Sequence, residues 1–235
     1  MRITQKIKQE LRSYARPEKA RILARFFKTG PGEYAEGDVF IGVMVPQIRM
    51  VVNEYCDVPL ESVKRLLTSK IHEERLCALL ILVKQYKNAG EQGKKDVYEL
   101  YCTHTRFINN WDLIDLTAKH IVGAFLFDKD KKPLYVLARS KMLWERRIAI
   151  LATFHCIERK EFDDAFALAL LLLSDTHDLI QKAVGWMLRE IGKRDMRAEE
   201  VFLKKYYRIM PRTMLRYAIE RFPERKRQAY LKGRA

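Results

Sequence analysis

Glu145-Arg146-Arg147-Ile148-Ala149-Ile150-Leu151, residues 145–151, has a near twin upstream and another downstream. Glu74-Arg75-Leu76-Cys77-Ala78-Leu79-Leu80 matches it at an offset of 71, and Ile180-Gln181-Lys182-Ala183-Val184-Gly185-Trp186 follows at an offset of 35. Since 71 is nearly twice 35, an intermediate copy falls at Asn109-Asn110-Trp111-Asp112-Leu113-Ile114-Asp115. A period in the mid-thirties is one pair of helices, and such a pair buries its apolar face only by stacking on its neighbours. The pattern predicts an all-α fold: an α-solenoid of HEAT-like repeats forming a curved superhelix. One domain is expected over 1–235, with the second helix of each pair lining a basic concave groove.

The flanking sequence supports helices throughout. Met1–Tyr14 carries Ile3, Ile7, Leu11 and Tyr14 at helical spacing. Pro17, Pro46 and Pro59 suit helix starts, where a missing N–H costs nothing. Gly30–Gly37 is the one turn-rich segment and reads as an ordered surface loop. Further helices are expected over 72–87, 91–103, 111–127, 132–140, 143–158, 161–173, 178–192, 197–208, 211–221 and 224–232. No stretch alternates with the period of a strand. Ten Gly and seven Pro in 235 residues leave room for long helices and argue against a many-turned β fold.

Composition narrows the partner. The formal charge is +15, and 16 Lys and Arg face 7 Asp and Glu from Asp178 to Ala235. Such an excess suits a polyanion. The longest apolar run, Ala165–Leu173, is far too short to span a bilayer, and Met1–Tyr14 lacks the apolar core of a signal peptide. A soluble cytoplasmic protein, nucleoid-associated when on DNA, is expected. Cys56, Cys77, Cys102 and Cys156 are scattered, which suggests reduced thiols and neither a disulfide framework nor a metal site.

The three tryptophans sit on three successive repeat helices. Trp111 lies four residues before Asp115, Trp144 three before Arg147, and Lys182, Trp186 and Arg189 share one stripe. Each ring alone reads as core packing. Together, rings interleaved with cations suit a nucleic-acid groove, where the cations meet phosphates and the rings meet sugars or bases. Asp115 is the odd member, since an acid works against a polyanion and a buried unpaired charge costs several kcal/mol. Chemistry explains it better than binding. Asn109 and Asn110 are the N-cap candidates for this helix, and Asp112 is a second acid with a first-turn structural role available.

These residues resemble a known family. Asn110-Trp111-Asp112-Leu113-Ile114-Asp115, Trp144–Leu151 and Gln181–Glu190 are similar to signatures of the AlkD-type DNA alkylation repair glycosylases, as are Arg16–Ala20 and Phe40-Ile41-Gly42-Val43. The resemblance implies a HEAT-like superhelix that excises N3- and N7-alkylated purines from double-stranded DNA, as a monomer, with no cofactor and no metal. It implies Asp115 as the catalytic carboxylate, Trp111 and Trp186 as flanking rings, and Arg147 as a nearby cation. Lys182, Arg189, Trp144, Arg146 and Lys193 would contact DNA. One departure stands out: Phe26 occupies a place where members of that family can carry Tyr, and the Gly30–Gly37 loop is extra.

The chemistry is consistent with a single acid. A cationic alkylpurine leaves as a neutral base, so the second carboxylate of ordinary glycosidases is unnecessary. One carboxylate can stabilise the sugar cation and position water, and a ring face favours the same developing charge. The alternative is a non-catalytic HEAT-repeat nucleic-acid-binding protein in which Asp115 is only salt-bridged to Arg147.

Overall fold

The computed structural model describes residues 3–235; Met1 and Arg2, the start of the first expected helix, lie outside them. The chain is all-α, and its described residues contain no strand, only an isolated bridge between Val39 and Ile71. It forms two compact units, Met1–Ile121 and Val122–Ala235.

Unit 1 holds α1 (Ile3–Ser13), α2 (Pro17–Phe26), α3 (Val45–Glu54), α4 (Leu60–Leu67), α5 (His72–Asn88), α6 (Glu91–Thr103) and α7 (Trp111–Asp115). Its centre is α5, which packs against α1, α3, α4, α6 and α7. Leu76, Cys77, Leu79, Ile81 and Leu82 of α5 meet Ile48, Val51, Val63, Leu66 and Leu67, all essentially excluded from water. The first turn of α5 is different. His72, Glu73, Glu74 and Arg75 are all buried, and four charged groups survive burial only when each is paired.

Unit 2 holds α8 (Ala124–Leu126), α9 (Lys132–Ala138), α10 (Leu143–Ala152), α11 (Phe154–Ile157), α12 (Asp163–Leu171), α13 (Asp178–Gly192), α14 (Met196–Tyr206), α15 (Arg212–Ala218) and α16 (Glu224–Leu231). Here α13 is central, packed by α10, α11, α12, α14 and α15 through Ile180, Val184, Met187, Leu188 and Ile191. Gly185 lets α15 approach closely, since a Cβ there would lie 2.4 Å from the Met214 carbonyl oxygen.

Hydrogen bonds recur at the offsets read from the sequence. Ser69 Oγ, Ser140 Oγ and Asp175 Oδ1 accept the N–H two residues on, at 3.1, 3.0 and 2.9 Å. Six residues after each turn residue, Arg75, Arg146 and Gln181 donate back to its carbonyl at 3.0, 3.1 and 3.0 Å. The same local bond thus opens three repeat helices, which fixes the register of the repeats on geometry as well as on sequence.

Two expected helices are broken. In place of 111–127 the chain makes the short α7, a π-turn at Lys119–Gly123 and then α8. The cause sits in Thr117: its hydroxyl donates to the Leu113 carbonyl and meets the buried Tyr101 hydroxyl, an i−4 back-bond that disturbs a helix. The expected 143–158 helix divides at Thr153, whose hydroxyl donates to the Ile150 carbonyl. All four cysteines are free, and no helix among the described residues is long and apolar enough to cross a membrane.

Candidate active site

The site begins with the five residues of α7. Asn110, wholly buried and in extended conformation, accepts the Trp111 N–H on its side-chain oxygen at 2.8 Å, so the helix starts at the tryptophan. Trp111 and Asp115 then stand one turn apart on one face, both half-buried, above the fully buried Leu113 and Ile114.

Asp112 ties that turn to α5. Its carboxylate lies 2.8 Å from His72 Nε2, and Asp38 lies 2.9 Å from His72 Nδ1. An imidazole with a carboxylate on each nitrogen bonds to both only by donating twice, which makes it an imidazolium. Burial works against that charge, but the bonds to Asp112 and Asp38 and their negative charge outweigh it and push the His72 pKa up to about 9. Asp38 is also buried, which opposes its ionisation. His72 and Arg75 nevertheless hold its carboxyl below the ordinary aspartate range. Arg75 completes the chain, donating to Asp38 at 2.6 Å and to Asn109 Oδ1 at 2.9 Å.

A second support is aromatic. The His72 ring stacks on Phe40 with centroids 4.4 Å apart, Phe40 on Phe27 at 5.2 Å, and Phe27 leans on Trp111 at 5.1 Å. Glu73 fixes Phe40 by receiving the N–H groups of Ile41, Gly42 and Val43 on one carboxylate, the shortest at 2.7 Å. Gly42 is required there twice over: its φ is +85°, and a Cβ would lie 2.1 Å from the Arg16 carbonyl oxygen.

The departures noted in the sequence converge on Trp111. Phe26, 60% exposed, sets its edge against the indole at 5.9 Å. Tyr34, carried by the extra loop, accepts the indole N–H on its hydroxyl at 3.3 Å.

In unit 2, Trp186 is half-buried, edge-on to Phe154 at 5.9 Å, with its N–H donated to Glu190 at 3.2 Å. Burial opposes ionisation of Glu190, but Lys193, Arg194 and this indole hold its carboxyl below the usual glutamate range. The expected DNA contacts are mostly paired: Lys193 with Glu190 at 2.6 Å, Lys182 with Asp178 at 2.8 Å, Arg146 with Asp175 at 2.6 Å, and Arg189 with Glu220. Arg147 is 5% exposed and donates to the Leu179 carbonyl at 2.6 Å, a bond internal to the unit. Trp144 corrects an expectation. At 7% exposure its indole is core packing in unit 2 and offers no ring face to a ligand.

Sequence reasoning missed His72, Asp38, Arg75, Tyr34, Phe27 and Phe40. Their link to Trp111 spans up to 77 residues along the chain, and no local spacing announces it. The run His72-Glu73-Glu74-Arg75 was the available signal, because four consecutive ionisable residues cover every face of a helix, including the buried one. Among the described residues no group of three or more His, Cys, Asp or Glu is arranged to hold a metal ion.

Comparison with known proteins agrees with this architecture. The sequence model of the DNA alkylation repair enzyme family matches residues 7–222. A solved structure, the "Predicted DNA alkylation repair enzyme from Enterococcus faecalis", superposes with a TM-score of 0.68 at 17% identity, covering 89% of this chain and 97% of that one. No curated protein matches.

Proposed function

Because the chain belongs to the DNA alkylation repair enzyme family, we propose that it is a DNA glycosylase that hydrolyses the N-glycosidic bond of N3- and N7-alkylated purines in double-stranded DNA. The observation that carries the proposal is the construction of α7. A half-buried carboxylate, Asp115, stands one turn from a half-buried indole, Trp111, whose ring is anchored at its N–H by Tyr34 and at its face by Phe27. A core would gain nothing from fixing an acid and an aromatic ring at a surface in this way.

Asp115 stabilises the positive charge that grows on the deoxyribose and positions the water that attacks it. Proton donation to the leaving base is not needed, because the alkylated purine departs neutral. Trp111 offers its face to the same cationic sugar, an interaction worth about 0.5–2 kcal/mol. Trp186 as a second ring, Arg147 as a nearby cation, and Lys182, Arg189, Arg146 and Lys193 as DNA contacts are proposed on the family resemblance. Conversion of DNA binding into catalysis therefore rests on Asp115.

The test is release of free base from duplexes carrying N7-methylguanine or N3-methyladenine. Wild type releases base, and Asp115→Asn loses roughly 10²-fold or more in single-turnover rate, the scale for removing a preorganised charge partner, while keeping its affinity for DNA. Release unchanged by the substitution removes Asp115 from the reaction. No release by either protein, with DNA still bound, means the fold serves here as a binding module.

A further inference from the structure

The turns that open the repeat helices share more than their hydrogen bonds. Ser69-Lys70-Ile71 leads directly into α5 and Ser140-Lys141-Met142 into α10, and the same order of hydroxyl residue, cation and apolar residue occurs at Thr105-Arg106-Phe107, a 3-10 turn separated from α7 by Ile108-Asn109-Asn110. In sequence the cations fall 36 and then 35 residues apart. Lys70, Arg106 and Lys141 are all exposed.

Lys70 and Arg106 line a single cavity in unit 1 of about 340 Å³, together with Thr68, Ser69, Asn109 and the buried Arg75. This size falls in the range of roughly 300–1,000 Å³ found for ligand sites. In unit 2, Arg146, Lys182, Arg189 and Lys193 are occupied by carboxylates. Lys70 and Arg106, by contrast, are not ion-paired among the described residues, and Arg106 only lies over the neighbouring Phe107 ring at 4.6 Å. Two acids also line the cavity. Asp38 is bonded on both oxygens by Arg75 and His72, and Glu36 accepts the Gly32 N–H. The charge left unmatched is positive. Asn109, on the cavity wall, is two residues before Trp111 in the chain.

We propose that this cavity seats a backbone phosphodiester of bound DNA, gripped between Lys70 and Arg106, on the strand whose damaged nucleotide faces Trp111. A phosphate needs positive charge and a neutral donor at short range, and Lys70, Arg106 and the Asn109 amide supply them, the Ser69 and Thr68 hydroxyls already donating to Glu74 and the Arg65 carbonyl. The location beside Trp111 rests on the glycosylase reading; the phosphate seat does not.

The experiment separates the two. Binding of an undamaged duplex is followed by fluorescence anisotropy across a salt series for wild type, Lys70→Ala/Arg106→Ala, and a control, Lys94→Ala/Lys95→Ala, that removes equal charge from α6. Loss of one phosphate contact lowers the slope of log K against log salt by about 0.9, and so weakens binding by about tenfold at 0.1 M relative to 1 M salt. The cavity variant shows that change and the control does not. An unchanged slope, or an equal change in the control, overturns the seat whatever the enzyme does to damaged bases. Single methylphosphonates are then scanned along a lesion duplex bound by Asp115→Asn protein. One position near the lesion weakens binding, and it loses its effect when Lys70→Ala/Arg106→Ala is added. If the slope changes but no position near the lesion responds, the seat stands and its placement beside Trp111 is overturned.

Discussion

The first turns of α5 and α10 hold equivalent places in the repeat and are built from opposite materials. Offset by 71, His72-Glu73-Glu74-Arg75 stands where the second unit has Leu143-Trp144-Glu145-Arg146. Arg is common to both and makes the same bond back to the preceding turn. Trp144 fills its site with an apolar ring, whereas Glu73 fills the corresponding one with a carboxylate and three backbone N–H groups. Buried charge clusters rarely add net stability over well-packed apolar groups, because desolvation cancels much of the attraction. What unit 1 gains is direction. Its polar turn holds the Phe40–Val43 segment on one side and α7 on the other, and those two carry the rings and the acid of the candidate site. Where the repeat only has to stack, it uses tryptophan; where it has to aim side chains, it uses charge.

The largest effect is expected at Glu73. In Glu73→Ala the N–H groups of Ile41, Gly42 and Val43 lose their acceptor together, and an orphaned buried donor costs about 1–3 kcal/mol. A loss of roughly 5 kcal/mol is expected in denaturant unfolding, since water can reach part of the vacated space. A loss below about 1 kcal/mol would mean that the segment is held by packing alone.

His72 has the next largest effect, through pH. Its folded pKa of about 9 lies above the ordinary histidine value of 6.5. A raised pKa stabilises the fold fully below 6.5, and the contribution fades as pH climbs through 9. Over that window the loss of the His72 contribution should cost wild type roughly 3 kcal/mol, at about 1.4 kcal/mol per unit of pKa difference. His72→Leu installs the residue that the equivalent position of α10 already carries. It should be less stable than wild type at pH 6 and lose roughly 3 kcal/mol less than wild type between pH 6.5 and 9, the loss that remains being that of Glu199, whose carboxyl burial pushes up to about 9. A wild-type loss no larger than that of His72→Leu over this window would mean the imidazole is not charged between its two carboxylates.

How much of this could be read from the chain follows from the distances involved. The repeat was legible, because stacking imposes the same local pattern at 71 and 35 residues, and local patterns survive in sequence. Asn110 as the cap of α7 was legible for the same reason, since cap and helix are adjacent. The break after Asp115 was not, because Thr117 is an ordinary helix residue until its hydroxyl turns to the Leu113 carbonyl. Trp144 and Trp186 look alike in sequence, each three or four residues from a cation, yet one is core and the other half-exposed. Periodicity gives the face of a helix and leaves open which neighbour covers it. The Asp38–His72–Asp112 bridge joins residues 34 and 40 apart, and no spacing rule relates them.

The smallest effect concerns the arginine that both turns share. Gln181 already performs its backbone bond in the third copy, so glutamine at this position reaches the carbonyl six residues back. Arg75→Gln and Arg146→Gln therefore keep that bond and remove only the charge. Arg146 gives up its pairing with Asp175, a contact at the edge of solvent with the arginine side chain 19% exposed. The loss should be about 1 kcal/mol, because partly hydrated pairs contribute little. Arg75 gives up Asp38, whose side chain is 1% exposed, and Asn109 as well. Asp38 keeps His72, so the cost should be about 2 kcal/mol, short of the 3–5 expected for a buried charge left alone. The ordering matters more than either value. A larger loss at Arg146 than at Arg75 would place the polar hub of the protein in the second unit and leave α7 held by its cap and its aromatic neighbours. Base release adds a second readout. Arg75→Gln should slow it, since Asn109 and Asp38 stand on either side of α7's anchorage, and Arg146→Gln should leave the single-turnover rate of bound DNA within about twofold of wild type, because a stacking bond far along the chain positions no reacting group.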